Sequence, residues 1–396
     1  MIRRLAGQAG VAQLWLEQFT QNCRASEVLL LLAATETAAV PGISAAGATP
    51  ASRRRTAAAD AELLLLGPAA HRPHALPPLP AGVSPALIGH VVLQTLGIDP
   101  LVVDLGCPVR PAVPHVRLPG ASGPAACLSS GRAMERRRVE QLLELGRTWG
   151  RRLGRAPLVI AECVPGGTTT AQAVLTGLGV AAEGLVSGSL HQPAHALKAT
   201  LVAQGLARAG LEHGPSDPVA VLAAVGDPMQ PLAAGLVLGL LQGLGQELGL
   251  GLGQGLGQAS PSHTAHPPVL LAGGSQMAAV LAIALALTPA DQRAHLVDRV
   301  ALGTTAWVAA EADSDLQELL RRIGARWQVQ PLAFASELRF HNCRQRALQD
   351  YEHGYVKEGV GAGGLAMLWS LSGGHLEGLA AACDQACGLL LEEGRL

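Results

Sequence analysis

Several kinds of residue are scarce in this chain, and each scarcity closes off a class of function. Phe, Trp and Tyr together make up only 3% of the sequence, too few for the aromatic platform on which nucleic-acid bases stack. Neither sign of charge dominates, since 29 Lys and Arg stand against 30 Asp and Glu, so there is no basic field to track a phosphate backbone. The short runs Arg53-Arg54-Arg55 and Arg136-Arg137-Arg138 read as solvated faces. No nucleic-acid partner is expected. The seven cysteines, at 23, 107, 127, 163, 343, 383 and 387, are odd in number and lack any Cys-x-x-Cys pair. That argues against a disulfide framework and a zinc knuckle, and places the chain in a reducing cytoplasm. Lysine is scarcer still: Lys198 and Lys357 are the only two, and the other 27 of the 29 basic residues are Arg. A position that stays Lys among so many arginines either needs a compact ammonium or is an ordinary surface residue. The first residues, MIRRLAGQAGVAQLWLEQF, lack the unbroken apolar stretch of a signal peptide. Residues 269–287 carry no charge, but Gly273-Gly274-Ser275-Gln276 interrupts them, so they read as strand, turn and helix rather than as a membrane span.

What the chain has in quantity is apolar sequence, 49% of 396 residues, enough to bury a large core. Short apolar runs alternate with helical patterns: VLLLLAA from Val28, LVVD from Leu101, PLVIA from Pro157, VAVLAAVGD from Val219, PVLLAGG from Pro268 and RVALGTT from Arg299. This rhythm predicts an α/β fold, a mostly parallel doubly wound, Rossmann-like sheet with helices on both faces. The runs end in small or polar residues: Thr35-Glu36-Thr37, Asp104, Gly106, Glu162, Gly226-Asp227, Gly273-Gly274 and Gly303-Thr304-Thr305. At the carboxyl ends of parallel strands these are expected to line one crevice. The predicted organisation is an N-terminal helical segment over 1–26, an α/β core over 27–339 and a C-terminal helical segment over 340–396. The two chain ends would form a smaller helical part. The Leu-Gly-Gln repetition of residues 236–263 reads as a helix end followed by a low-complexity insertion at about 240–264, since glycine weakens a helix by about 1 kcal/mol relative to alanine. The proline-rich HRPHALPPLPAGVSP from His71 reads as a surface loop.

The candidate chemistry centres on ECVPGGTTTAQAV, residues 162–174, which joins an apolar strand to a helix. Gly166, Gly167, Thr168, Thr169 and Thr170 would offer backbone N–H groups and hydroxyls to a phosphate at the positive end of the helix dipole. The loop lacks the Gly-Lys-Ser/Thr of a P-loop, so a monophosphate fits better than a triphosphate. Its first residue, Glu162, is a carboxylate at the lip of an anion cradle. A second carboxylate, Glu358, precedes the glycine-rich Gly359-Val360-Gly361-Ala362-Gly363-Gly364; it either approaches a flat ligand or offsets a helix dipole. Asp227 either orients a sugar hydroxyl or satisfies a turn. His191 and His195, with Pro193 between them and no nearby Glu, make a poor metal pair. Cys383 and Cys387 read as buried small side chains.

In the order ECVPGGTTTA, AAVGDPMQ, LLAGGSQMAAV, ALGTT and VKEGVGAGG, with PGISAAG from Pro41 and AADAELLLLG from Ala58, the chain resembles the nicotinate-nucleotide:dimethylbenzimidazole phosphoribosyltransferase family of cobalamin lower-ligand assembly, most closely its less characterised branch. The matches run from about residue 28 to 370. The resemblance implies transfer of a phosphoribosyl group from nicotinate mononucleotide to a benzimidazole-like azole, with no metal or other cofactor, by a homodimer. It implies Glu358 as general base and Glu162 as a second acidic group. Lys198, Gly273, Gly274, Ser275, Gly303, Thr304, Gly359 and Gly361 would contact the nucleotide together with the threonine loop and Asp227. Ser84 and His90 are the candidates for the acceptor. The well-characterised branch has Asp-His-Gly where this chain has Thr35-Glu36-Thr37, which leaves the acceptor open to another azole, a purine or a phenolic ring. The alternative reading is a phosphosugar- or nucleotide-binding protein of the same fold without turnover.

Overall fold

One strand shows how the layers arise. In Glu27–Leu32, the side chains of Val28, Leu30 and Leu32 pack into one hydrophobic cluster while Leu29 and Leu31 pack into another. Successive side chains of a strand point to opposite faces, so a strand that is apolar at every position must lie between two cores. In the computed structural model, which describes residues 1–68, 71–118, 122–153, 156–247 and 267–393, eight strands form one sheet. They are β1 (Ile2–Ala6), β2 (Glu27–Leu32), β3 (Leu101–Asp104), β4 (Val116–Arg117), β5 (Leu158–Cys163), β6 (Val269–Ala272), β7 (Val300–Thr305) and β8 (Leu332–Ser336). Their order is β1-β8-β7-β6-β5-β2-β3-β4, and all pairs are parallel except the edge pair of β1 with β8.

Helices cover both faces. The first cluster takes Val139, Val174, Leu232, Val280 and Leu319 from the helices Arg136–Arg152, Gly167–Gly177, Met229–Glu247, Ser275–Leu287 and Leu316–Trp327. The second takes Trp15, Leu63, Val92, Leu368 and Leu379 from Ala9–Gln21, Thr56–Leu66, Ala86–Leu96, Ala362–Leu371 and Leu376–Glu393. Both chain ends therefore add helices to the same face. No helix among the described residues is long and apolar enough to cross a membrane.

The structure differs from the sequence reading at identifiable points. Residues 1–26 are not helical throughout, because Ile2–Ala6 pairs antiparallel with β8 and covers the backbone groups of that edge. The run VAVLAAVGD is not a strand. It lies in the helix Pro218–Val225, which Asp217 caps by accepting the Ala220 N–H at 3.2 Å, with Pro218 at the first helical position. The repetitive glycines up to residue 241 lie inside a helix as well. An added Cβ at Gly235 or Gly239 would lie 2.3 Å from the Leu143 carbonyl oxygen or 2.1 Å from that of Arg147. Glycine is required there for two helix backbones to touch, which offsets its poor helix propensity. Most of the expected insertion at about 240–264 lies outside the described residues.

Candidate functional site

A cavity of about 750 Å³ opens at the carboxyl ends of β5 and β6, where an open parallel sheet presents its ligand crevice. After β5 the chain turns through Gly166, whose φ of 80° is left-handed and whose added Cβ would lie 2.9 Å from the Ala38 nitrogen. Only glycine fits. Gly166, Gly167 and Thr168 face the cavity at the start of the helix Gly167–Gly177. Thr169 and Thr170 do not line it; both are fully buried. Thr170 Oγ1 donates to Asp227, and Asp227 Oδ1 accepts the Met229 N–H at 3.0 Å. Asp227 therefore satisfies the turn into the helix Met229–Glu247 and stands off the cavity.

Both glutamates line the cavity. Backbone pairing joins them, for the Val360 N–H donates to the Glu162 carbonyl at 3.0 Å. Glu162 accepts the Gln276 side-chain amide at 2.9 Å and the Val164 N–H at 3.0 Å. Burial, and then the nearby charges of Asp227 and Glu358, push its pKa up to about 8. Glu358 is held more completely. Its Oε2 accepts Thr304 Oγ1 at 2.8 Å and the Thr305 N–H at 2.9 Å, and its Oε1 accepts the Gly359 and Gly363 N–H groups at 3.1 Å each. Burial raises its pKa against these four bonds. The segment that presents it is strained: Val356, Lys357 and Val360 have φ of 64°, 66° and 51°, a region that costs a non-glycine residue about 1–3 kcal/mol.

The glycines near Glu358 serve close packing. Gly361, with φ of 71°, lies so near β5 that an added Cβ would be 2.6 Å from the Ala161 Cβ, and at Gly363 it would be 2.1 Å from the Thr304 carbonyl carbon. Gly303 packs on Gly364 and Leu270 and does not line the cavity, nor do Gly273, Thr304 and Gly361. Gly274, Ser275 and Gly359 do. Ser275 Oγ accepts the Ser187 N–H at 3.0 Å, fixing the loop 187–192 that forms another wall.

The two lysines both lie beneath that wall. Lys198 is buried and donates to the Ser187 carbonyl at 2.6 Å, behind Gly188, where an added Cβ would be 3.2 Å from its Nζ. Burial pushes its pKa down to about 7. Lys357 donates to the Leu190 carbonyl at 2.8 Å and pairs with Glu311 at 2.6 Å. Neither is a surface residue, and neither lines the cavity.

At another wall Ser84 lines the cavity, whereas His90 does not: its Nδ1 bonds the Leu64 carbonyl at 3.0 Å and its ring fills the space beside Gly67. The ends of β2 and β3 also stand apart from the crevice. Thr35 caps the turn Glu36–Ala39, and Asp104 accepts the Gly106 and Cys107 N–H groups and pairs with Arg117. His191 and His195 separate, the first stacking on Tyr355 at 4.9 Å in the cavity wall and the second bonding the Asp313 carbonyl. Sequence reasoning missed Asp60, Gln276 and Tyr355, all on the cavity. Gln276 had a signal, as it directly follows Gly273-Gly274-Ser275; Asp60 lies in the motif AADAELLLLG, where nothing local sets it apart from its neighbours.

A family model described as phosphoribosyltransferase matches residues 88–242, which include β5, the glycine-threonine turn and Glu162. The chain belongs to the UPF0284 family. It is 52% identical over 385 residues to a UPF0284 protein of Parasynechococcus marenigrum (strain WH8102), covering 96% of this chain and 91% of that protein. It is 51% identical to one of Prochlorococcus marinus (strain MIT 9313), covering 95% and 89%. Among solved structures it is similar to CobT from Thermus thermophilus, at 19% identity and a TM-score of 0.53, covering 96% of this chain and 98% of that one. It is also similar to a nicotinate-nucleotide-dimethylbenzimidazole phosphoribosyltransferase from the same organism, at 20% identity and a TM-score of 0.52, covering 97% and 94%. Those two likenesses concern the fold.

Proposed function

We propose that the chain transfers the phosphoribosyl group of nicotinate mononucleotide to the ring nitrogen of a benzimidazole-like azole. The observation that carries this reading is the sharing of one cavity by Glu162, Glu358 and the Gly166–Thr168 turn, with the two acidic segments tied by the Val360–Glu162 backbone bond of 3.0 Å. In the reaction the bond from ribose C1 to the pyridinium nitrogen breaks, and its electron pair neutralises the leaving nicotinate ring. The azole lone pair forms the new bond to C1, and the azole N–H proton goes to Glu358.

A carboxylate has about four lone-pair sites, and Glu358 accepts four hydrogen bonds. It can take a proton only after one donor leaves. Three of the donors are backbone N–H groups with fixed directions; the fourth, Thr304 Oγ1, is a hydroxyl that can rotate. Rotation of the Thr304 hydroxyl thus gives up one of the four bonds and makes the carboxylate more basic. Glu162 faces the positive charge that moves from the pyridinium through C1 to the azole, while Gly166, Gly167, Thr168 and Ser275 hold the phosphate. Incubation with nicotinate mononucleotide and a panel of azoles, followed by chromatography for free nicotinate, tests the reading. Nicotinate release that requires an azole is expected; nucleotide binding without release would favour the non-catalytic alternative.

A further inference from the structure

The cavity holds a third carboxylate that the reaction above leaves unused. Asp60 lies on the helix Thr56–Leu66, lines the cavity and is only 5% exposed. Its partners are two neutral donors, Ser84 Oγ at 2.6 Å and Cys163 Sγ at 3.4 Å. It forms no ion pair among the described residues. A buried carboxylate is costly unless donors satisfy it, and two single bonds leave about half of its lone-pair sites free. The cavity wall also includes the apolar residues Pro77, Leu79, Pro80, Val83 and Pro85. Cys163 directly follows Glu162, so the Asp60 carboxylate is anchored one residue from the reacting end of β5 and on the opposite side from the phosphate turn's helix.

We propose that Asp60, held by Ser84, selects the acceptor: the azole this chain uses carries a hydroxyl or amino hydrogen-bond donor on its ring, which Asp60 accepts. The inference rests on the transferase reading for the word acceptor, but not for the binding chemistry. A hydroxyl and a methyl group are similar in size, so shape alone does not tell them apart and the Asp60 carboxylate can. A site built to accept a ligand hydrogen bond discriminates strongly, because an analogue without the donor leaves the buried group unpaired. Burial pushes the Asp60 pKa up to about 6, so at neutral pH it is ionised and accepts only.

The test compares 5-hydroxy-, 5-amino- and 5-methylbenzimidazole by kcat/KM for nicotinate release and, separately, by calorimetric binding to the full chain. Wild type is expected to favour the hydroxy and amino compounds at least about tenfold. In Asp60→Leu, which replaces the carboxylate with an apolar side chain, the ratio should fall to about one, with the methyl compound improving in absolute terms. Ser84→Ala keeps the carboxylate but removes the bond that holds it, and should shrink the preference without abolishing it. A wild-type ratio near one, or an Asp60→Leu variant that loses all acceptors in equal proportion, overturns the proposal, the second outcome marking Asp60 as structural. If no azole releases nicotinate while binding still follows Asp60, the transferase reading fails and the selectivity stands. If none binds, both fail.

Discussion

Replacing Glu358 by glutamine preserves size and removes charge, and the structure fixes what each consequence should cost. A glutamine oxygen turned toward Gly359 and Gly363 keeps both of those hydrogen bonds, and its amide then faces Thr304 Oγ1 and the Thr305 N–H. The threonine hydroxyl can turn and accept from the amide; the Thr305 N–H can only donate. One buried backbone donor is left unpaired, a loss of about 1–3 kcal/mol, which relief of the carboxylate's desolvation partly offsets. Folding stability in Glu358→Gln should therefore drop by about 1 kcal/mol, visible as a modest shift in a thermal melt. Catalysis should suffer far more. Loss of a general base slows a reaction by about 10²- to 10⁴-fold, which is about 3–5 kcal/mol of barrier. On the proposed reading the nucleotide phosphate sits at Gly166–Thr168, away from Glu358, so KM for nicotinate mononucleotide should stay within about threefold while kcat carries the loss. Single-turnover nicotinate release separates the two. A folded Glu358→Gln variant with kcat within tenfold of wild type would refute the assignment of the base and the lone-pair argument with it.

Glu162 makes a linked prediction about protons. Its pKa of about 8 lies above that of a free carboxyl, so the folded chain holds the proton more tightly than the unfolded one and stability falls as pH rises from about 4.5 to about 8. Glu162→Gln should remove that part of the slope, and Gln276 can serve the new amide through its unpartnered Oε1. At pH 7 the empty site is mostly protonated at Glu162, and a cationic pyridinium favours the ionised form. Calorimetry in buffers of different ionisation enthalpy should accordingly show proton release on binding nicotinate mononucleotide, with affinity rising toward pH 8; no release in wild type would sink this role. Lys357→Met should leave buried Glu311 without its cation and destabilise the fold by about 3–5 kcal/mol. Adding Glu311→Leu should recover most of that loss in chemical denaturation, and an equally unstable double variant would show that the pair is not the cause.

How much of this could be read in the chain depends on whether a feature is local. β2, β3, β5, β6 and β7 were legible because strands buried on both faces are continuously apolar. The helix Pro218–Val225 is equally apolar and too short to display a helical period, so only the Asp217-Pro218 start distinguished it from a strand. β1 and β8 were missed because their pairing joins residues 2–6 to 333–336, a register that no local pattern encodes. At the site, Glu162, Glu358 and the glycines between turn and helix were visible as motifs. Side-chain direction was not. Lys198 was identified by its rarity yet points at carbonyls behind the wall, and Asp60 is one of nine buried residues in its helix, set apart only by the neighbours that tertiary packing supplies.

The placement of charge follows one physical logic. In the proposed substrate a phosphate and a positively charged ring belong to one molecule, so a site lined with free cations would hold the first and repel the second. Here the two ammonium groups are set behind the backbone of residues 187–190, tied to its carbonyls, while the carboxylates Glu162 and Glu358 face inward. On the proposed reading phosphate goes to the donors at a helix start, whose dipole supplies about half a positive charge, and the cationic ring meets acidic groups whose pKa values burial has raised. In the proposed reaction, once nicotinate leaves with a neutral ring, the positive charge has moved to the azole, which still carries a proton. In the proposed reaction that charge disappears only when Glu358 accepts the proton, so the electrostatic need that would draw the nucleotide into the cavity would also favour the completed transfer.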